Sequence, residues 1–423
     1  MAGGTESRAS GQARGIVARL WSARLPRARA AVATGLLLSG ASFASWVVRI
    51  PEVQRRLELS ESTLGLTLFG VAAGGMLAMP LSGLLIGRYG SRPVALAALL
   101  SLAGSVALAP HAVGAFSLAA VLFMLGAATS VAAVALNTQA AAVERRMRRP
   151  IMSRLHALYS VGGLVGAGVG GLAAGSGVGA GWHLGVAAAL VAAVALAIAP
   201  SLLRPGTDGV ATEVARARFA RPGRPLLLLG VVAFCVLFGE GAVADWSAVY
   251  LRDEAGAGPG LAAAGFAAFS LMMAAGRFAG DALTVRLGPA GAVRLGGFVA
   301  ALGNAVAVVQ NDPLLMVLGF AATGAGLSIV FPAVIAAAGR VSGSTPSSAI
   351  TVVSSIGYLG LLAGPPLIGI VGEAVSLSVG MAIVSVGGLL IAGLAGILPA
   401  AQPFAHRRPR APSQLVRVGS PAA

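Results

Sequence analysis

Two carboxylates stand where a lipid solvent tolerates them least: Glu240 and Asp245 fall inside an apolar stretch at about 226–250. A charged side chain at mid-membrane costs on the order of 2.5–3.5 kcal/mol on insertion scales, so it persists only beside a partner or a water-filled cavity. A carboxylate that meets water first from one side and then from the other can load and unload a proton, which is the chemistry of ion-coupled transport. Five residues at about 100° each set the two about 140° apart around a helix, so one is expected to line a central cavity and the other to face a neighbour. The plainer alternatives are a hydrogen bond from Glu240 to an adjacent helix and an ion pair of Asp245 with Arg49 or Arg252.

Other polar groups border apolar stretches in the same way. Arg49, beside Trp46, could attract an anionic or hydroxyl-rich solute or merely snorkel to the interface. His156 opens the fifth stretch with Tyr159 one turn on, where it could bind solute, relay a proton or cap a helix end. Asn137 and Gln139 close the fourth stretch, where Asn137 could bridge helices or contact a solute and packing is the plainer use. Trp46, Tyr159, Trp246 and Tyr358 offer flat walls with hydrogen-bonding tips. Arg277 and Asp281, spaced i, i+4, are expected to pair on one helix face and hold a gate or a helix end. His111 and His183 are expected to be solvated in loops.

Several chemistries are excluded. Four scattered histidines and a single cysteine, Cys235, give no metal-ligand cluster and no intrachain disulfide. The chain has no lysine, so no phosphate-binding loop ending in Gly-Lys-Ser exists and ATP-driven transport within the chain is ruled out. No catalytic constellation stands out, so no enzyme and no cofactor are expected. The net charge of +16 is spread over loops and tails without interleaved aromatics, which fits lipid headgroups and not nucleic acid.

The elements that must position these residues follow from composition. The chain is 57% hydrophobic and 10% charged, with a mean hydropathy of +0.87, so its solvent is lipid. Apolar segments run at about 30–49, 63–86, 93–110, 115–136, 155–176, 182–203, 226–250, 260–280, 291–309, 314–338, 348–371 and 375–398. Most are about twenty residues long, enough to cross ~30 Å of hydrocarbon as a helix. The loops alternate in charge: twenty-five of the thirty arginines fall on one side, and only Arg49, Arg55, Arg56 and Arg252 on the other, with Arg277 inside a span. Since basic residues concentrate on cytoplasmic loops, both termini and the central loop are expected in the cytoplasm. The arginine-only, Ala- and Gly-rich composition points to a bacterial inner membrane.

The expected organisation is an all-α membrane protein. A basic tail (1–29) precedes a six-helix half (30–203), a linker (204–225), a second half (226–398) and a tail (399–423). An internal repeat supports it: Ala44-Ser45-Trp46 echoes Ala244-Asp245-Trp246, Arg88-Tyr89-Gly90 echoes Arg286-Leu287-Gly288, and Ser160-Val161-Gly162 echoes Ser355-Ile356-Gly357, at offsets of 200, 198 and 195. Gly162, Gly166 and Gly170 in span 5, and Gly360 with Gly364 in span 11, allow close backbone approach, either as smooth faces for one half to rock on the other or as plain tight packing within a bundle, and the two readings are compatible. Pro80, Pro332 and Pro365-Pro366 are expected to kink spans 2, 10 and 11.

The stretch Gly83-Leu84-Leu85-Ile86-Gly87-Arg88-Tyr89-Gly90-Ser91-Arg92 resembles the loop motif of major facilitator transporters, with a half-echo in Gly276-Arg277-Phe278-Ala279-Gly280-Asp281. With Arg49-Ile50-Pro51, Asn137, the 153–160 segment, Asp245-Trp246-Ser247 and the 357–366 segment, it is similar to a little-characterised bacterial inner-membrane branch near the fucose permeases. The resemblance covers about residues 30–398. It implies a cytoplasmic gate at Gly83, Arg88, Gly90, Arg92, Arg277 and Asp281, and a solute site between the halves. Two departures stand out: Gly87 replaces the motif's Asp, and Ala133 occupies the position of a carboxylate that sugar permeases carry one turn before the span-4 Asn. The resulting expectation is a monomeric, proton-coupled secondary transporter for a sugar or other small polar metabolite. Multidrug or metabolite export is the alternative within transport, and a non-transporting receptor or scaffold the alternative outside it.

Overall fold

A backbone in hydrocarbon finds no water to bond, so long apolar segments close their hydrogen bonds internally as helices. The computed structural model describes the backbone of residues 3–147, 151–204, 223–341 and 346–398; the side chains of 3–24, Ser153, Asp281, Pro346 and Ser347 lie outside the described residues. Twelve helices are long and apolar enough to cross a membrane. Spans 1 to 6 are Leu25–Val47, Glu61–Tyr89, Ser91–His111, Ala115–Met147, Arg154–Gly175 and Ala180–Ser201. Spans 7 to 12 are Arg224–Ala255, Pro259–Gly280, Ala282–Val309, Pro313–Ala338, Ser348–Ala374 and Leu377–Ile397. A short helix, Ile50–Arg56, follows span 1. No strand occurs among the described residues. The backbone is already helical from Gly3, so much of the expected basic tail continues span 1. The expected linker falls mostly, and the C-terminal tail wholly, outside the described residues.

Each half packs in the same order. In the first, span 1 lies on span 5, span 2 on span 4, and span 3 between spans 4 and 6; in the second, span 7 lies on span 11 and span 10 on the helix that carries spans 8 and 9. The halves meet where span 2 packs on span 11 and span 5 on span 8.

Glycines set how closely these helices approach. A Cβ on Gly162 or Gly166 would run into the span-1 carbonyls of Leu37 or Ala41, and one on Gly360 into the carbonyl of Phe234 in span 7, while Gly364 faces Phe238. The two contacts repeat at advances of 198 along spans 5 and 11 and 197 along spans 1 and 7, so the repeat is written into backbone packing. These glycine faces therefore hold each half together instead of forming the sliding seam expected between halves. The seam uses other small residues: Gly171 and Gly175 against Gly260 and Ala263, and Gly65 and Gly369 against Pro365 and Glu61. Gly90 and Gly288 echo each other in conformation, both taking positive φ (83° and 71°), where an L side chain is strained, Gly90 at the turn between spans 2 and 3 and Gly288 at a kink in the helix that carries spans 8 and 9. The Trp46 and Trp246 echo, at 200, is displaced from this packing register by three residues.

Polar side chains complete the ends and pins. Ser60 and Ser376 accept backbone N–H groups at the starts of spans 2 and 12, and Asp312 accepts those of Leu314 and Leu315 at span 10. Buried Gln139 donates to Ser91 Oγ and the Leu203 carbonyl and accepts from the Leu203 N–H, fastening span 4 to its neighbours. Buried Asn304 donates to the Met381 carbonyl and Ser385 Oγ across to span 12. Span 10 breaks between Leu327 and Val330, just before Pro332, whereas the helices through Pro80 and Pro365-Pro366 continue. Gly162→Ala should lower the melting temperature of the detergent-solubilised protein, at a cost of about 1–3 kcal/mol for an overpacked contact. Gly168→Ala, whose added Cβ meets nothing within 4 Å, should leave that temperature unchanged or slightly raised.

Candidate functional site

Between the halves lies a cavity of about 610 Å³, lined from spans 1, 2, 4, 5, 7, 8 and 11. Its walls are set by helical periodicity. Phe266, Phe269, Ser270, Met273 and Arg277 form one stripe of span 8, and Leu68, Val71, Ala72, Gly75, Met76 and Met79 one stripe of span 2. Pro80 and Pro365 deprive the carbonyls four residues earlier, those of Met76 and Leu361, of their usual helical hydrogen bonds, and all four residues line the cavity. Hydroxyls enter from Thr129 and Ser130, Tyr159 and Ser160, Ser270, Ser355 and Tyr358.

Both span-7 carboxylates face this space, where only one was expected to. The lining residues of span 7 are Glu240, Gly241, Ala244 and Asp245, a continuous wedge about 140° wide. Gly241 and Ala244, standing between the acids, are too small to wall them apart. Arg277 Nη2 reaches Glu240 Oε1 at 3.4 Å, and both remain partly open to the cavity. Arg277 is thus a cavity residue whose partner comes from span 7; the side chain of Asp281, its expected partner, lies outside the described residues. Asp245 has no hydrogen-bond or ion-pair partner among the described residues.

Of the other candidates, Tyr159 and Tyr358 line the cavity, while Trp46, Arg49, Asn137, His156 and Trp246 do not. Trp46 and Trp246 are fully buried in the apolar core. Arg49 neither snorkels nor meets a solute: it is 1% exposed and donates to Glu52 Oε2 at 2.7 Å and to His183 Nδ1 at 3.2 Å. Glu52 in turn accepts the Ala180 N–H, capping span 6. His183, expected to be solvated, is therefore a buried partner in this cluster. His156 is exposed and Asn137 half-buried. The span-8 aromatic and methionine stripe was missed because Phe and Met at helical spacing read as core; its one distinguishing signal is that it ends on Arg277.

The two ends of the bundle differ. At the arginine-poor end Arg252, from span 7, donates to the Pro51 carbonyl at 2.7 Å and to Gln54 Oε1 at 2.8 Å in the first half. There too the Ser62 N–H donates to the Glu373 carboxylate at 3.0 Å, joining spans 2 and 11. At the arginine-rich end Gly83, Gly87, Arg88 and Tyr89 are exposed, Arg88 lies over the Tyr89 ring, and Phe278 and Val285 stand open. Neither Arg88 nor Arg92 enters an ion pair among the described residues. Arg49→Met should lower the melting temperature, by roughly 1–3 kcal/mol of lost charge-assisted bonding, and leave solute affinity unchanged.

Known proteins place this architecture. Residues 31–309 match the Major Facilitator Superfamily. The chain is 33% identical over 344 residues to an uncharacterised MFS-type transporter of Yersinia pestis, covering 81% of this chain and 88% of that one. It is 32% identical over 372 residues to an uncharacterised transporter of Sinorhizobium fredii, covering 87% and 97%, and 28% identical to the membrane protein MosC of Rhizobium meliloti, covering 86% and 88%. In fold it is similar to the nucleoside transporter NupG, with a TM-score of 0.73 and 14% identity over 87% of this chain and all of that one. It is also similar to a bacterial homologue of the human lysosomal transporter Spinster in an inward-facing, occupied conformation, at a TM-score of 0.66 and 16% identity over 87% and 95%. The paired six-helix halves, the cavity between them and these relatives agree: the chain belongs to the major facilitator superfamily of membrane transporters.

Proposed function

We propose that this protein carries a small polar solute across the bacterial inner membrane, coupled to protons through Glu240, by exposing the central cavity to each side in turn. The observation that carries this reading is the Glu240–Arg277 pair, set in a cavity between two halves. A proton on Glu240 cancels its attraction for Arg277 and releases the guanidinium; its loss restores the pair. The charge of the cavity thus changes with each proton, and a proton descending the membrane potential supplies about 2.3 kcal/mol per 100 mV.

The inter-half bonds of Arg252 and Glu373 hold the arginine-poor end closed, so exchange of sides requires them to break while the arginine-rich end closes. With twenty-five of thirty arginines on one side, the positive-inside rule makes the open end cytoplasmic, with both termini beside it. The chain works as a monomer, since each half already finds its partner within it. Hydroxyl-bearing walls suit a sugar or similar metabolite, in keeping with the resemblance to the fucose-permease branch.

In proteoliposomes, Glu240→Gln should reduce proton-driven accumulation to simple equilibration and spare solute exchange; undiminished accumulation overturns the coupling role. Arg252→Ala should lengthen the distance between spin labels at positions 58 and 258, measured with Cys235 replaced by Ser, as the arginine-poor end loses its bridge. An unchanged distance distribution removes Arg252 from gating.

A further inference from the structure

The charges of the cavity do not balance. Among the described residues it is lined by two carboxylates and one guanidinium, and Arg277 is already committed to Glu240. Asp245 lines the same space without hydrogen bond or counter-ion. A carboxylate that keeps such a place in a bundle calls for a partner, and the cavity has no further cation to give it. The rings of Phe266 and Phe269, stacked with centroids 6.4 Å apart, line the same cavity, and the π faces of such rings attract positive charge. Ser130, Ser160, Ser270 and Ser355 line it with hydroxyls from four different spans.

We propose that the solute is a hydroxylated organic cation whose ammonium group seats against Asp245, supplying the countercharge that the protein lacks. This rests on the cavity being the solute site, and it separates the duties of the two acids: Glu240 exchanges a proton against Arg277, and Asp245 selects the solute. Hydroxyls on the solute skeleton bond to the serine hydroxyls of the lining, and its carbon face lies on the phenyl rings. An anionic solute is disfavoured, because it would meet two carboxylates and an arginine that is occupied.

The test uses the purified full-length protein and sets of three compounds that share one skeleton and differ only in charge: glucamine, sorbitol and gluconate; ethanolamine, ethylene glycol and glycolate; 2-amino-1-phenylethanol, 1-phenyl-1,2-ethanediol and mandelate. The ammonium member of at least one set should raise the melting temperature most. Asp245→Asn should weaken its binding by roughly tenfold to a hundredfold, the range for a lost charge-assisted bond, and leave the neutral member's binding unchanged. Asp245→Glu should keep the preference for the ammonium, which separates a charge effect from a misfolded variant. The proposal falls if the neutral or anionic member binds best, if no ammonium member binds, or if Asp245→Asn binds the ammonium as well as the parent protein. Flux in proteoliposomes distinguishes the two readings. A neutral solute that accumulates independently of Asp245 overturns the cation and leaves transport standing, whereas an Asp245-dependent ligand that never moves overturns transport and leaves the site.

Discussion

Hydrocarbon takes away the usual reason for helices to associate, because lipid tails are as apolar as leucine; what remains is close contact between backbones and the matching of buried polar groups. The arrangement of this protein depends on that first term. Gly162 and Gly166 admit the backbone of span 1, and Gly360 admits that of span 7. Both halves are built on the same two-helix unit, one helix from the start of the half and one from its fifth position. Because these faces are occupied inside each half, the halves meet through a second set of small residues, around Gly65 and Gly369 and around Gly171 and Gly260. At Gly65 and Gly369 this seam is as close as the contacts within the halves, and at Gly171, Gly175 and Gly260 it is more open.

The second term, polar matching, is distributed by depth. Gln139 through both ends of its amide, and Asn304 through its amide nitrogen, bond to backbone groups and serines and act as pins. Arg49 is the costliest case: a guanidinium buried away from solvent, held by Glu52 and the ring nitrogen of His183. Since Nδ1 of His183 accepts that bond, the imidazole is neutral there and its other nitrogen carries the hydrogen. Span 1, the short helix after it and span 6 are fixed together at this point, which gives Arg252 a rigid surface, the Pro51 carbonyl and Gln54, to close upon.

Much of this was legible in the chain and some was not, for physical reasons that differ by residue. The spans could be read because length and the positive-inside bias act on segments independently of their neighbours. Glu240, Asp245, Tyr159 and Tyr358 could be read because a polar group in an apolar run needs a cavity or a partner. Arg277 was assigned to Asp281 because i, i+4 spacing is the only partner a sequence displays; its observed partner lies 37 residues back on span 7. Arg49 reads as snorkelling or meeting a solute; its Glu52 partner stands three residues on, but its histidine, 134 residues away, is not displayed by the sequence. The glycine faces were visible as glycine faces, but spacing says only that a backbone approaches closely there, and nothing about which backbone.

The charges lining the cavity all belong to the second half: Glu240 and Asp245 stand on span 7 and Arg277 on span 8, while spans 1, 2, 4 and 5 contribute apolar groups, hydroxyls and backbone. Gly87 and Ala133, where the resemblance leads one to expect carboxylates, add no charge to the first half. The charges of the cavity thus stand on one side of the interface. A change in charge at Glu240 or Asp245 arises on a second-half helix and faces the hydroxyls of the first half, Tyr159 among them, across the cavity. Under the coupling proposed above, the titrating charge therefore sits on span 7, while the close glycine contacts of spans 1 and 5 lie within the other half.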